Sequence, residues 1–114
     1  MHRYEILPHT ADMIVRAFGS TRAGLLTAAL QGMFAAAAPA YGEKAEKNER
    51  KFAIEAKDFQ SLLIDVLNEV LYLSDVNHEA YEDVKFTLAT DTKAEGAFIG
   101  RAVSGFDTEI KAAT

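Results

Sequence analysis

The 114 residues include no cysteine, which excludes disulfides, thiolate catalysis and cysteine-ligated metals. No apolar run approaches the roughly 20 residues of a membrane-spanning helix. The opening Met-His-Arg-Tyr-Glu has no apolar core of the secretory type. Basic residues are the minority, 12 against 17 acidic, for a net charge of −5. That balance opposes tight direct binding to nucleic acid, which depends on neutralising phosphates. It suits a basic protein partner instead, so any role near RNA should run through another protein. These features together predict a cytoplasmic protein that does not bind membranes.

What is present is enough for a fold. Hydrophobic residues make up 49% of the chain, too many for a disordered tail. The length fits one domain over residues 1–114, and such a chain buries roughly 65% of its unfolded surface.

Residues 4–19, YEILPHTADMIVRAFG, concentrate the chemistry. Tyr4, Ile6 and Leu7 read as a strand that stops at Pro8, and Ile14, Val15 and Phe18 as a second. Between them, His9, Thr10 and Asp12 place an imidazole, a hydroxyl and a carboxylate in one turn. Two readings stand. Asp12 can supply oxygen to a hard cation such as Ca²⁺ or Mg²⁺, with backbone carbonyls adding more. Alternatively, Asp12 and Thr10 hydrogen-bond the turn's own backbone while His9 pins it. One carboxylate alone does not make a Ca²⁺ site, which takes about six to eight oxygens.

Further along, Leu25, Leu26, Ala29, Leu30, Met33 and Phe34 recur at helical spacing, with Ser20 or Thr21 as N-cap and Pro39 beyond the end. The alanines at 35–38 read as a small-residue packing surface. Residues 41–50 read as a solvated loop, and 51–56 as an alternating strand. The clearest pattern is 58–73. Here Phe59, Leu62, Leu63, Val66, Leu67, Val70 and Leu71 form an apolar stripe behind an Asp58 N-cap, and core packing is the expected role. Residues 74–82 read as a turn with His78 exposed. Val84, Phe86 and Leu88 alternate, Asp91-Thr92 marks a hairpin turn, and 95–103 returns as a strand. Gly96 and Gly100 in that strand mark bulges or close packing. Residues 108–113 read as a last strand. Strands that alternate and two amphipathic helices predict an α+β fold, the helices on one side of a mostly antiparallel sheet.

The segment 4–19 resembles the N-terminal signature of the archease family: a strand, His-Thr-Ala-Asp, and a strand ending in aromatic-Gly. Ser20 to Ala38 resembles the family's first helix and 58–73 its second. The final EIKAAT is similar to its Glu-Val-Lys-Ala-x-Thr segment. The resemblance covers most of the chain and implies the same fold of helices on a sheet. It implies an accessory protein, not an enzyme, serving the GTP-dependent tRNA-splicing RNA ligase. Such a protein promotes guanylylation of the ligase's histidine and so sustains multiple turnover in tRNA splicing and RNA repair. The implied functional residues are Asp12, with a divalent metal, and Lys111, with His9 supporting the turn. The metal expected is Ca²⁺, with Mg²⁺ or Mn²⁺ as alternatives. Without the resemblance, Lys111 reads as a solvated lysine on a strand face.

Two features depart from the family pattern. Arg22-Ala23-Gly24 stands where the family usually has acidic residues. The family's chain also runs past Lys-Ala-x-Thr to an acidic residue that joins the turn aspartate on the metal, whereas this sequence ends at Thr114. The resemblance therefore implies half a site with weak metal affinity, in a fragment or a shortened relative, and a sheet edge open to homodimerisation. A second function remains open, a non-catalytic protein-interaction domain in which Asp12 is only a turn residue. A small hydrolase built on Asp12 and His9 lacks a convergent second carboxylate or a Gly-x-Ser-x-Gly turn.

Overall fold

The computed structural model describes residues 2–7, 14–41 and 46–106. Strands β1 (His2–Leu7) and β2 (Ile14–Gly19) pair antiparallel from His2↔Gly19 to Leu7↔Ile14. Helix α1 (Arg22–Ala37) follows. Thr21 caps it, its hydroxyl accepting from the Gly24 N–H at 2.9 Å. The helix stops where Ala38 turns left-handed at φ 51° and donates to the Phe34 and Ala35 carbonyls. Pro39, which has no N–H to continue the helix, then opens β3 (Pro39–Tyr41). β4 (Lys47–Glu55), α2 (Phe59–Asn77), β5 (Glu79–Ala89) and β6 (Lys93–Phe106) complete the described elements.

The larger sheet is assembled on β6, which pairs antiparallel with β3, β4 and β5. The β1–β2 hairpin is a separate two-stranded sheet. The α+β architecture is as the sequence predicts. α1 contacts both hairpin strands as well as β5 and α2, so most of its residues are buried rather than one stripe. This explains the run of alanines. Ala36 and Ala37 of the run are buried, as is Ala28 earlier on the helix, while Ala35 and Ala38 are exposed.

On α2 the stripe behaves as core. Leu62, Val66 and Val70 are fully buried, with Phe59, Leu63, Leu67 and Leu71 packed beside them. Burying the first three contributes about 5–9 kcal/mol before entropy. The Asp58 carboxylate accepts from the Ser61 N–H at 2.7 Å, as an N-cap should. Across from α2, Phe52 of β4 stacks on Phe98 of β6 with centroids 4.1 Å apart, and Tyr81 of β5 lies 6.0 Å from Phe98.

Two expectations are corrected. The stretch read as a loop over 41–50 contains Tyr41 of β3 and the first half of β4, because β4 pairs with β6 from Lys47↔Arg101 onward and Asn48 and Arg50 reach the buried Glu79 carboxylate. The stretch read as a turn over 74–82 is the last turn of α2 followed by β5. A single residue connects them: His78, exposed as expected, in the left-handed conformation at φ 54°. The expected strand at 108–113 lies outside the described residues.

The glycines of β6 have the role the sequence suggested. β5 carries one extra residue between Tyr81 and Asp83 and another between Phe86 and Leu88, opposite Gly100 and Gly96. A Cβ at Gly100 would strike the Ala80 carbonyl and the Tyr81 ring, and one at Gly96 the Lys85 carbonyl. Gly100→Ala is therefore expected to cost about 1–3 kcal/mol in urea unfolding. A Cβ at Gly105 meets nothing within 4 Å, so Gly105→Ala should change stability by no more than about 0.5 kcal/mol. Equal losses from both would refute close packing as the reason for Gly100.

Candidate functional site

The β1–β2 register closes at Leu7↔Ile14, so the sequence Pro8-His9-Thr10-Ala11-Asp12-Met13 connects the two ends of a hairpin. His9 and Asp12 lie outside the described residues, and so does Lys111, five positions beyond Phe106, the last residue of β6. What the structure describes is the scaffold on either side. Among the described residues, no three His, Asp or Glu side chains converge on a position that could hold a metal ion.

Beside this scaffold lies a cavity of about 330 Å³. Tyr4 of β1, Gln31 and Phe34 of α1, Pro39 and Tyr41 of β3, and Glu82 of β5 contribute to its lining. It thus occupies the seam where the hairpin, the first helix and the larger sheet meet. Pro39, on one cavity wall, pairs with Phe106, the last residue of β6. Tyr4 stands three residues, about 10 Å of strand, from Leu7 at the mouth of the His-Thr-Ala-Asp turn.

Glu82 is held from several directions. Its carboxylate accepts from Arg101 Nη2 at 3.0 Å and lies 3.9 Å from Lys47 Nζ. Its backbone carbonyl accepts from the Gln31 amide at 3.1 Å. The Arg101 guanidinium sits 4.5 Å from the centre of the Tyr41 ring. Burial and the nearby Glu82 charge push the Tyr41 phenol up from its ordinary value, with Arg101 opposing. The recess thus gathers aromatic rings, a carboxylate held by Arg101 and an amide held by the Glu82 carbonyl.

Behind it lies a second cluster that the sequence reading missed. Glu79, 2% exposed, accepts at Oε1 from Arg50 Nε (2.9 Å) and the Tyr81 hydroxyl (2.7 Å). At Oε2 it accepts from Asn48 Nδ2 (2.7 Å) and Arg50 Nη2 (3.1 Å). The Ser74 hydroxyl donates to the Glu79 carbonyl, and the Val103 N–H donates to the His78 carbonyl at 2.9 Å. The end of α2 is thereby tied to β4, β5 and β6. Burial pushes the Glu79 carboxyl up, but hydrogen bonds from Arg50, Tyr81 and Asn48 and the Arg50 charge outweigh it, and the net shift is downward. Burial, then the bond to Glu79, pushes Tyr81 up to about 12. A signal for this cluster existed in the spacing Asn48-x-Arg50-x-Phe52-x-Ile54, which puts Asn48 and Arg50 on the apolar face of one strand.

Comparison with known proteins adds relatives. A model of the archease protein family matches residues 4–114. A protein archease from Methanosarcina acetivorans is 32% identical over 122 residues, covering 98% of this chain and 82% of the relative. One from Methanosarcina mazei has the same identity and coverage. One from Thermococcus gammatolerans is 35% identical over 86 residues, covering 75% of this chain and 59% of the relative. No solved structure matches.

The Glu79 cluster makes two predictions. Glu79→Gln removes the charge facing Arg50 and should cost about 2–4 kcal/mol in urea unfolding at neutral pH. Because the folded-state pKa of Glu79 is lowered, its contribution is present above the ordinary carboxylate range and lost as pH falls through the folded value. The gap between wild type and variant should therefore narrow in acid; a gap independent of pH would refute the assignment. For Tyr81 the sign is reversed. The unfolded phenol ionises near 10.0 while the folded one stays protonated to about 12, so stability falls across that window. Tyr81→Phe should remove this part of the alkaline loss, read as a smaller drop in melting temperature over the same pH range.

Proposed function

We propose a function from one premise: this chain belongs to the archease family. The reading is that it acts as an accessory protein rather than an enzyme, and that its client is the GTP-dependent tRNA-splicing RNA ligase. It promotes guanylylation of the ligase's histidine and so sustains multiple turnover. The observation that carries this reading is the family match across residues 4–114, which takes in both the His-Thr-Ala-Asp turn and the Lys-Ala-Ala-Thr segment. The acidic balance of the chain supports it too, because a net charge of −5 suits a protein client better than RNA itself.

In this reading the hairpin presents Asp12 to the client, with His9 supporting the turn and Lys111 supplying a cation for a phosphate or carboxylate. Asp12 is a hard-oxygen ligand suited to Ca²⁺, Mg²⁺ or Mn²⁺. One carboxylate leaves most of the coordination to backbone carbonyls, water or the client, so affinity for the chain alone is weak.

The test is ligation by the cognate ligase at substoichiometric enzyme, with and without this chain. Wild type should convert a single turnover into many. Asp12→Ala should abolish that gain, and Lys111→Ala should reduce it at least about tenfold, a loss of roughly 1.4 kcal/mol or more. Circular dichroism should report both variants folded. A Ca²⁺ titration followed by NMR should perturb residues near Asp12 in wild type and not in Asp12→Ala. Full stimulation by folded Asp12→Ala would refute the site. No stimulation by folded wild type would leave an interaction module without this activity.

A further inference from the structure

Most acidic residues on the larger sheet have a basic partner. Glu55 pairs with Lys93 at 3.1 Å, Glu49 with Lys85 at 3.3 Å, Glu82 with Arg101 at 3.0 Å and Glu79 with Arg50 at 2.9 Å. α2 is different. From Phe59 to Asn77 it contains Asp65, Glu69 and Asp75 and no Lys, Arg or His. Asp75 stands in the last turn, which has no basic residue. There it adds to the negative end of the helix dipole, where a cation would be favoured. The helix carries this unfavourable charge on its outer side.

The same side exposes apolar surface. Tyr72 is 62% exposed and Val76 54%, the two most exposed large hydrophobic residues among those described. They lie one turn apart, so their side chains are neighbours. Asp65, Glu69, Tyr72 and Val76 follow one another at spacings of four, three and four, in a line along the helix about a quarter-turn from the line of Leu62, Val66 and Val70. An apolar pair continued by acidic residues is a surface of definite chemistry. Its negative charge repels phosphate backbones and anionic lipid headgroups, and attracts lysine and arginine.

We propose that the outer face of α2, over residues 65–76, docks a basic amphipathic helix of a protein partner. The partner's aliphatic side chains cover Tyr72 and Val76, and its lysines or arginines face Asp65, Glu69 and Asp75. This mode lays an apolar stripe on a complementary surface and sets orientation by charge. The inference goes beyond the proposed activity and does not depend on it, since the surface lies on α2 rather than on the hairpin.

The test uses the whole chain, isotope-labelled, titrated by NMR with a synthetic peptide of about 18 residues, leucines at helical spacing and lysines elsewhere. Saturable shift changes should cluster on 65–77. The dissociation constant should rise about tenfold or more for Tyr72→Ser/Val76→Ser, and again when salt goes from about 50 to about 300 mM. Because both residues are exposed, the double variant should keep its melting temperature. If it does not, Glu69→Gln/Asp75→Asn provides the same reading through charge and should also weaken binding. A peptide with glutamate in place of lysine should not bind. Shifts scattered over other acidic surfaces, variants that bind like wild type, or equal binding of the glutamate peptide would each overturn the proposal.

Discussion

The hydrogen-bond ladder of β6 is the constraint on which the rest of this structure depends. β3, β4 and β5 all pair with it. Its sequence meets two demands. Phe98 must reach the core between Phe52 and Tyr81, and the positions two residues to either side must let the β5 backbone pass close. Gly96 and Gly100 stand at those positions. The inserted residues on β5 fall opposite these glycines, so the strand that approaches most closely is also the one that kinks. A bulge raises local twist and interrupts an edge, which makes β5 a poor template for a further strand.

Legibility in the sequence follows burial and periodicity. α2 was readable because a stripe of Leu and Val has no other use for its spacing, and Asp58 announced its start. The fold class was readable because alternation survives in 51–56 and 84–88. The start of β4 was not, since Lys47, Asn48, Glu49 and Arg50 look solvated one by one. Only Glu79, distant in sequence, gives Asn48 and Arg50 a shared acceptor. The start of β5 was hidden for the complementary reason. A glutamate after an Asn-His pair reads as a turn unless four donors await it. Each half of the cluster conceals the other, because an ion pair between distant strands leaves no local hydrophobic signal. The candidate site was legible only as chemistry. His9, Asp12 and Lys111 were named from residue type and resemblance, and they lie outside the described residues, so the scaffold is what the structure adds.

That scaffold has a physical logic of its own. α1 is packed on several sides because it lies against two sheets that, among the described residues, share no ladder. A helix in that place must be slim, and alanine supplies close approach where leucine would hold the layers apart. Among the described residues the hairpin lies against α1 and shares no ladder with the larger sheet. The cavity lined by Tyr4, Phe34 and Tyr41 occupies that same seam, where layers meet without a common strand.

Charge is distributed to match. Exposed ion pairs contribute little to stability, typically under about 1 kcal/mol each, so the cross-strand pairs of the larger sheet matter more for the field than for the fold. Glu55–Lys93 and Glu49–Lys85 cancel where they stand. α2 has acids and no bases, so an appreciable part of the net charge of −5 is displayed on one helix. Its inner stripe already secures the fold, which leaves the outer side free of any packing demand. A helix under selection for stability alone would place lysine or arginine in its last turn, where the dipole favours it. Asp75 there, beside exposed Tyr72 and Val76, has a cost that folding does not require, and a basic partner is the physical circumstance that would offset it.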